Sequence, residues 1–446
     1  MLNKHRIFIL SLICIHVLFF ITKIIIGDFF IVDSHEYYQL AENILYKFQF
    51  YCGDLNTDID FRNYTRRPPL YAIFIIISSG FLNSTIGTLL FQNTISIISL
   101  LLVKKIFEEI FFKINYWWFF IFIGTSINQF VYSNMIMSEI FFQFLIVLLF
   151  YNLHKVIKSP SWKHLIFFQI SIILLFLTKP VFYLFIIPNI ILTILIYRKT
   201  KIKYGFLSSI LPILIFLLYS NWNLNRTGSY DFSSMQNFNL LEWNLKYFHQ
   251  NKYGYDKAQR INDQILSEAA KIRDYRDSQS YIKKQILTYL RKDLIGYGVF
   301  HLKGCLRIFI DPGRFDLVNF FRIKDDNNEG ILHHINEQGV TGVIKFLRTQ
   351  PTIILLLLFI ILIFNFLKLI GFIWFWIKNY KSLNLLLLAF LFVTLYIVAL
   401  TGPLGASRFF VPILPAYLMF SVLGFTDLIL KAKTFNFYKK NKSLLN

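Results

Sequence analysis

The sequence predicts an all-α polytopic membrane protein with about ten to twelve transmembrane helices. Three observations carry that prediction. The 446-residue chain is 56% hydrophobic with a mean hydropathy of +0.53, too apolar for a soluble protein. Apolar runs long enough to span a bilayer recur along most of its length. The formal charge of +21 comes from Lys and Arg gathered mostly in short loops between those runs and at both ends. The positive-inside rule accounts for that bias, so no nucleic-acid partner is needed to explain it.

The first run, Ile7–Ile26, follows Lys4 and Arg6. It is longer than a signal-peptide core and no small-x-small cleavage site follows, so it reads as a retained first span. Asp33–Phe50 then places Tyr37, Leu40, Ala41, Ile44, Leu45 and Phe48 on one helical stripe. That is the pattern of an amphipathic helix lying on a surface. The outer loop that carries it, 27–68, leads into RRPPLY (Arg66–Tyr71), with prolines suited to a helix's first turn. Leu70–Val103 is apolar with a polar break at Asn83–Thr85. Two spans are the simple reading there, yet the charge bias further along requires an odd number of net crossings.

KKIFEEIFFK (104–113) reads as cytoplasmic. Trp117–Tyr132 and Ile140–Leu153 are spans joined through SNMIMSE. Basic loops at 154–164 and 198–203 bracket two further spans, Leu165–Thr178 and Val181–Tyr197, which turn at Lys179–Pro180. Gly205–Ser220 rises outward. The long polar region 221–349 follows, expected to be extracytoplasmic and mainly helical, as over Ser280–Phe309. Pro351–Ile377, Leu385–Leu400 and Phe409–Leu430 complete the chain before a lysine-rich tail. The expected plan is an N-terminal membrane module (1–220), the polar region (221–349) and a C-terminal membrane module (350–446). Cys14, Cys52 and Cys305 offer no metal-ligand spacing, and a Cys52–Cys305 bridge is open.

On this topology the ionisable residues collect at the outer face. Asp33 and Glu36 begin the amphipathic helix, Arg66 and Arg67 close its loop, and Glu139 stands at the SNMIMSE turn. Lys179, Arg226 and Arg408 sit at the outer ends of later spans. Ionisable groups at membrane segments are costly and mark function. A few cations around one or two carboxylates make a phosphate site with a base beside it. Each residue also has a plainer reading: Asp33 with Glu36 forms a helix capping box, Glu139 caps a helix start, and the cations anchor at the interface.

Several segments together resemble a family. DSHEYYQLAENIL, RRPPLYAIF, MIMSEIFF, LTKP, NWNLNRTGSYDFSS and GASRFFVPILPAY are similar, in order, to elements of the GT-C superfamily of polyprenyl-phosphate-sugar-dependent glycosyltransferases. The nearest groups are protein O-mannosyltransferases and aminoarabinose lipid A transferases. The resemblance covers about residues 1–240 and 395–425. It departs where Ser34 follows Asp33 in place of an Asp-Glu pair, and where Phe409 follows Arg408 in place of Tyr.

The resemblance implies a bacterial cytoplasmic-membrane enzyme with its active site on the extracytoplasmic side. It implies a polyprenyl-phosphate-linked sugar donor and a glycan, lipid or protein acceptor. Asp33 would be general base, with Glu36 and Glu139 beside it as catalytic carboxylates. Arg66, Arg67, Tyr37, Lys179, Arg226 and Arg408 would bind substrate. Some members use a divalent metal, and Asp33 with Glu139 would be its ligands here. The alternatives are a flippase or transporter of lipid-linked sugars, which would favour repeats and broken spans at the midplane, and a polysaccharide polymerase or ligase.

Overall fold

The computed structural model describes residues 2–31, 33–111, 114–323, 341 and 351–443, and every regular element among them is helical. A chain in hydrocarbon must satisfy its backbone within each segment, which leaves helices as the solution. In chain order the first ten are α1 (Leu2–Ile26), α2 (Ser34–Lys47), α3 (Leu70–Gly80), α4 (Thr85–Ile110), α5 (Tyr116–Gly124), α6 (Ile127–Ser133), α7 (Glu139–Lys158), α8 (Trp162–Thr178), α9 (Ile186–Thr200) and α10 (Ile210–Thr227). The polar region forms α11 (Met235–Asn239), α12 (Tyr247–Tyr253), α13 (Tyr255–Ala270), α14 (Tyr275–Arg291), α15 (Leu294–Arg307) and α16 (Arg314–Phe321). The C-terminal helices are α17 (Thr352–Asn379), α18 (Leu385–Thr401) and α19 (Leu414–Ser443). Side chains of Ser84, Asn115, Ser161 and Asn384 accept from first-turn N–H groups and fix the starts of α4, α5, α8 and α18.

Seven helical segments among the described residues are long and apolar enough to cross a membrane, so the chain is a multi-pass membrane protein. α3, α8 and α18 are apolar but shorter. α3 explains the ambiguity of Leu70–Val103. Its 11 residues rise only about 16 Å, half a bilayer core. It folds back on the opening turns of α4: Tyr71 bonds Gln92, Ser78 bonds Thr88, and a Cβ on Gly87 would lie 2.3 Å from Ser78 O. α3 is therefore too short to span a bilayer by itself.

Lipid tails give little hydrophobic drive between helices, so shape and close approach hold the bundle. The main core is built largely of phenylalanine. Phe150 stacks on Phe390 at 3.7 Å between ring centroids, and Phe107 meets both Phe390 and Phe420. α17 and α19 touch backbone to backbone, for a Cβ on Gly424 would fall 1.9 Å from Gly371 O. The polar region has its own small core, with Leu241, Phe248, Ile265 and Ile286 turned inward. α10 runs to Thr227, beyond the expected boundary at 220. Residues 324–349 lie outside the described residues, apart from 341. Cys52 and Cys305 are free thiols, so the bridge is not formed.

Candidate active site

The site begins with how α2 is entered. Asp33 stands at its N-cap position, yet its side chain bonds no helix N–H. The capping-box reading fails because two guanidiniums claim the carboxylate. Arg67 Nη2 is 2.9 Å from Asp33 Oδ1, and Arg408 Nη2 is 2.5 Å from Oδ2. Charge-assisted bonds of this kind outweigh a backbone cap. Of the predicted stripe, Tyr37, Leu40 and Ala41 are buried against α3, whereas Leu45 and Phe48 are exposed.

Arg67 also donates from Nε to Glu36 Oε2 at 2.6 Å and lies over the Tyr37 ring. Arg66 Nη2 meets Glu36 Oε1 at 2.8 Å. The RRPP segment is braced from the chain between α10 and α11: Ser233 donates to Arg66 O and Ser234 to Arg62 O. Glu139 opens α7, where the helix dipole favours a carboxylate. Its Oε1 accepts from Lys179 Nζ at 2.8 Å and from Arg408 Nε at 2.6 Å. Its Oε2 is fully buried and has no partner.

Buried amides position these groups. Gln92 donates to the carbonyls of Tyr132, Ser133 and Met135, and Asn93 pairs with Asn134. This fixes the turn before Glu139. Gln143 donates to Val411 O and so draws the segment that bears Arg408 onto α7.

The result is one lattice, Arg66–Glu36–Arg67–Asp33–Arg408–Glu139–Lys179, drawn from five separate segments. Its four cations and three carboxylates leave one positive charge. Comparison with protein-family models, curated proteins and solved structures finds no match for the chain.

Burial pushes the Asp33 carboxyl up, but the charges of Arg408 and Arg67 prevail and hold it well below the usual carboxylate range. The lattice as it stands thus keeps Asp33 ionised and shielded. The gap between Asp33 and Glu139, where a divalent ion would need to sit, is filled by the Arg408 guanidinium. Among the described residues no cluster of three His, Cys, Asp or Glu could hold a metal. These residues do not fit a metal in this arrangement.

Arg226 stands apart from the lattice. It stacks on Trp222 with its guanidinium carbon 3.5 Å from the ring centroid, and donates to Phe50 O and Asn223. It braces the chain leaving α2. Asp316 of α16 is a residue that sequence reading missed. Buried, it accepts from Tyr132 OH at 2.5 Å and from Ser407 Oγ at 2.6 Å. Burial drives its carboxyl up to about 7, against those two hydrogen bonds. It grips the residue before Arg408 and ties the polar region to the lattice.

Proposed function

We propose that the protein is an integral membrane glycosyltransferase of the GT-C type. It moves a sugar from a polyprenyl-phosphate donor to an acceptor hydroxyl, amine or phosphate. The observation that carries this reading is the lattice of three carboxylates and four cations, with its surplus positive charge and one free carboxylate oxygen. Such a surplus suits one phosphate. Arg67 lies over the Tyr37 ring, which meets Tyr71, and Tyr71 bonds Gln92 about 10 Å along α4 from that helix's N-terminal end. A lipid-held headgroup and a water-borne acceptor can meet at that depth.

In this reading α1, α4, α5 with α6, α7 to α10 and α17 to α19 make about ten passes. Both basic ends then face the cytoplasm of a bacterial inner membrane, and the lattice opens to the extracytoplasmic side. The donor phosphate displaces Asp33 from Arg67 and Arg408. Released from its partners, Asp33 regains ordinary basicity and takes the acceptor's proton as that atom attacks the anomeric carbon. The bond to the phosphate oxygen breaks, and the charge left on the lipid phosphate stays on Arg66, Arg67, Lys179 and Arg408.

The test uses purified protein, radiolabelled polyprenyl-phosphate sugars and crude membrane acceptors, with Asp33→Asn alongside. Transfer by wild type and not by the variant supports the reading. Absence of transfer from any donor, with donor crossing liposome bilayers, replaces the enzyme with a flippase.

A further inference from the structure

α15 is turned inside out relative to a helix in water. Leu294, Ile295, Val299, Leu302 and Leu306 form one stripe at i, i+1, i+5, i+8 and i+12. All five are exposed, Ile295 at 84%. The opposite face carries the polar groups and packs on protein. Tyr297 donates to Asn244 Oδ1 at 2.6 Å, and His301 Nε2 donates to Ala399 O at 2.6 Å. Gly304 lies so close to the end of α18 that a Cβ there would fall 1.9 Å from Gly402 O. Arg307 donates to Leu404 O. A water-facing helix would bury its leucines and expose its histidine.

We infer that α15 is an interfacial membrane helix whose leucine stripe lies in the lipid around the bundle. Two further observations select lipid as the occupant. α15 docks across the C-terminal end of α18, whose own Leu388, Phe392 and Leu395 are exposed along one face of an apolar helix. α15 meets Ala399 and Gly402, the next positions along that same face at helical spacing. α18 rises only about 26 Å, so its end lies near the boundary of the hydrocarbon. Second, Arg291 and Lys292 precede the stripe and exposed Lys303 flanks it, the placement expected beside lipid headgroups. α15 thereby holds the polar helices α11 to α16 down on the bilayer surface, a role separate from the lattice chemistry.

The test is spin-label accessibility in phosphatidylcholine–phosphatidylglycerol nanodiscs, on a background of Cys14→Ala, Cys52→Ala and Cys305→Ala. Labels go on Ile295→Cys, Val299→Cys and Leu302→Cys, with Gln264→Cys on α13 as a water-facing control. Collision with oxygen should exceed collision with a water-soluble nickel chelate at the three stripe positions, and the order should reverse at the control. Chelate-dominated collision on the stripe would overturn the inference by placing α15 in water. Exclusion of both reagents would overturn it too, by placing the stripe under a second copy of the chain. Three labelled sites keep the result readable if one variant fails to fold.

Discussion

The Arg408 guanidinium is ion-paired to the Asp33 carboxylate at 2.5 Å, joining residues 375 positions apart in the chain. An anion that binds Arg408 must compete with that carboxylate. The pairing gives the lattice an unusual signature. Asp33→Asn should abolish transfer, by about 10²–10⁴-fold for loss of a general base. The same variant should bind polyprenyl phosphate roughly tenfold tighter, since its competitor is neutral. Calorimetric titration with the lipid phosphate checks the sign. Equal affinities in wild type and variant would remove the competition from the mechanism, while no binding by either would remove the lipid-phosphate reading itself.

Arg408→Ala should destabilise the fold as well as the site. It strips one partner from Asp33 and one from the fully buried Glu139. Breaking a buried pair from one side costs about 3 kcal/mol or more, because the remaining charge is uncompensated. Arg408→Ala combined with Glu139→Gln should recover part of that loss, since the orphaned charge is gone. Thermal unfolding in detergent, followed by size exclusion, reads both. A double variant no more stable than Arg408→Ala alone would mean the Glu139 contact carries little of the cost.

The Asp316 carboxyl gives a pH dependence whose direction follows from its surroundings. Burial raises it to about 7, above an unfolded value of about 3.9. The neutral form is favoured in the folded protein, so this contribution is fully present below pH 4 and is lost as pH rises through 7. The shift corresponds to on the order of 4 kcal/mol over that window. Asp316→Asn should flatten the fall in thermal stability between pH 4 and 7. An unchanged slope would assign the dependence to another group.

Much of the lattice was legible in the sequence because membrane segments make charges conspicuous. Asp33, Glu36, Arg66, Arg67, Glu139, Lys179 and Arg408 each border an apolar run, where an unneeded charge is expensive. Asp316 had no such contrast. It sits among many charged neighbours, and only the tertiary contact with Tyr132 and Ser407 sets it apart. The cap at Asp33 was misleading for a related reason, since local spacing records a helix start but not two arginines arriving from elsewhere. Composition could not separate α3 from a full span. Its length and its return onto α4 decide that.

Arg226 tests whether proximity in motif order means proximity in function. In the chain it looks like Arg66: a basic residue bordering an apolar run. In the fold its guanidinium is committed to the Trp222 ring and to Phe50 O, and it touches none of the three lattice carboxylates. Arg226→Ala should therefore lower thermal stability by about 2–3 kcal/mol through lost stacking and two lost hydrogen bonds. It should leave polyprenyl-phosphate affinity unchanged, whereas Lys179→Ala, which removes a lattice cation, should weaken it. A loss of affinity in Arg226→Ala equal to that in Lys179→Ala would bring Arg226 back into the ligand site. It would also mean that the loop after α2 moves when ligand binds.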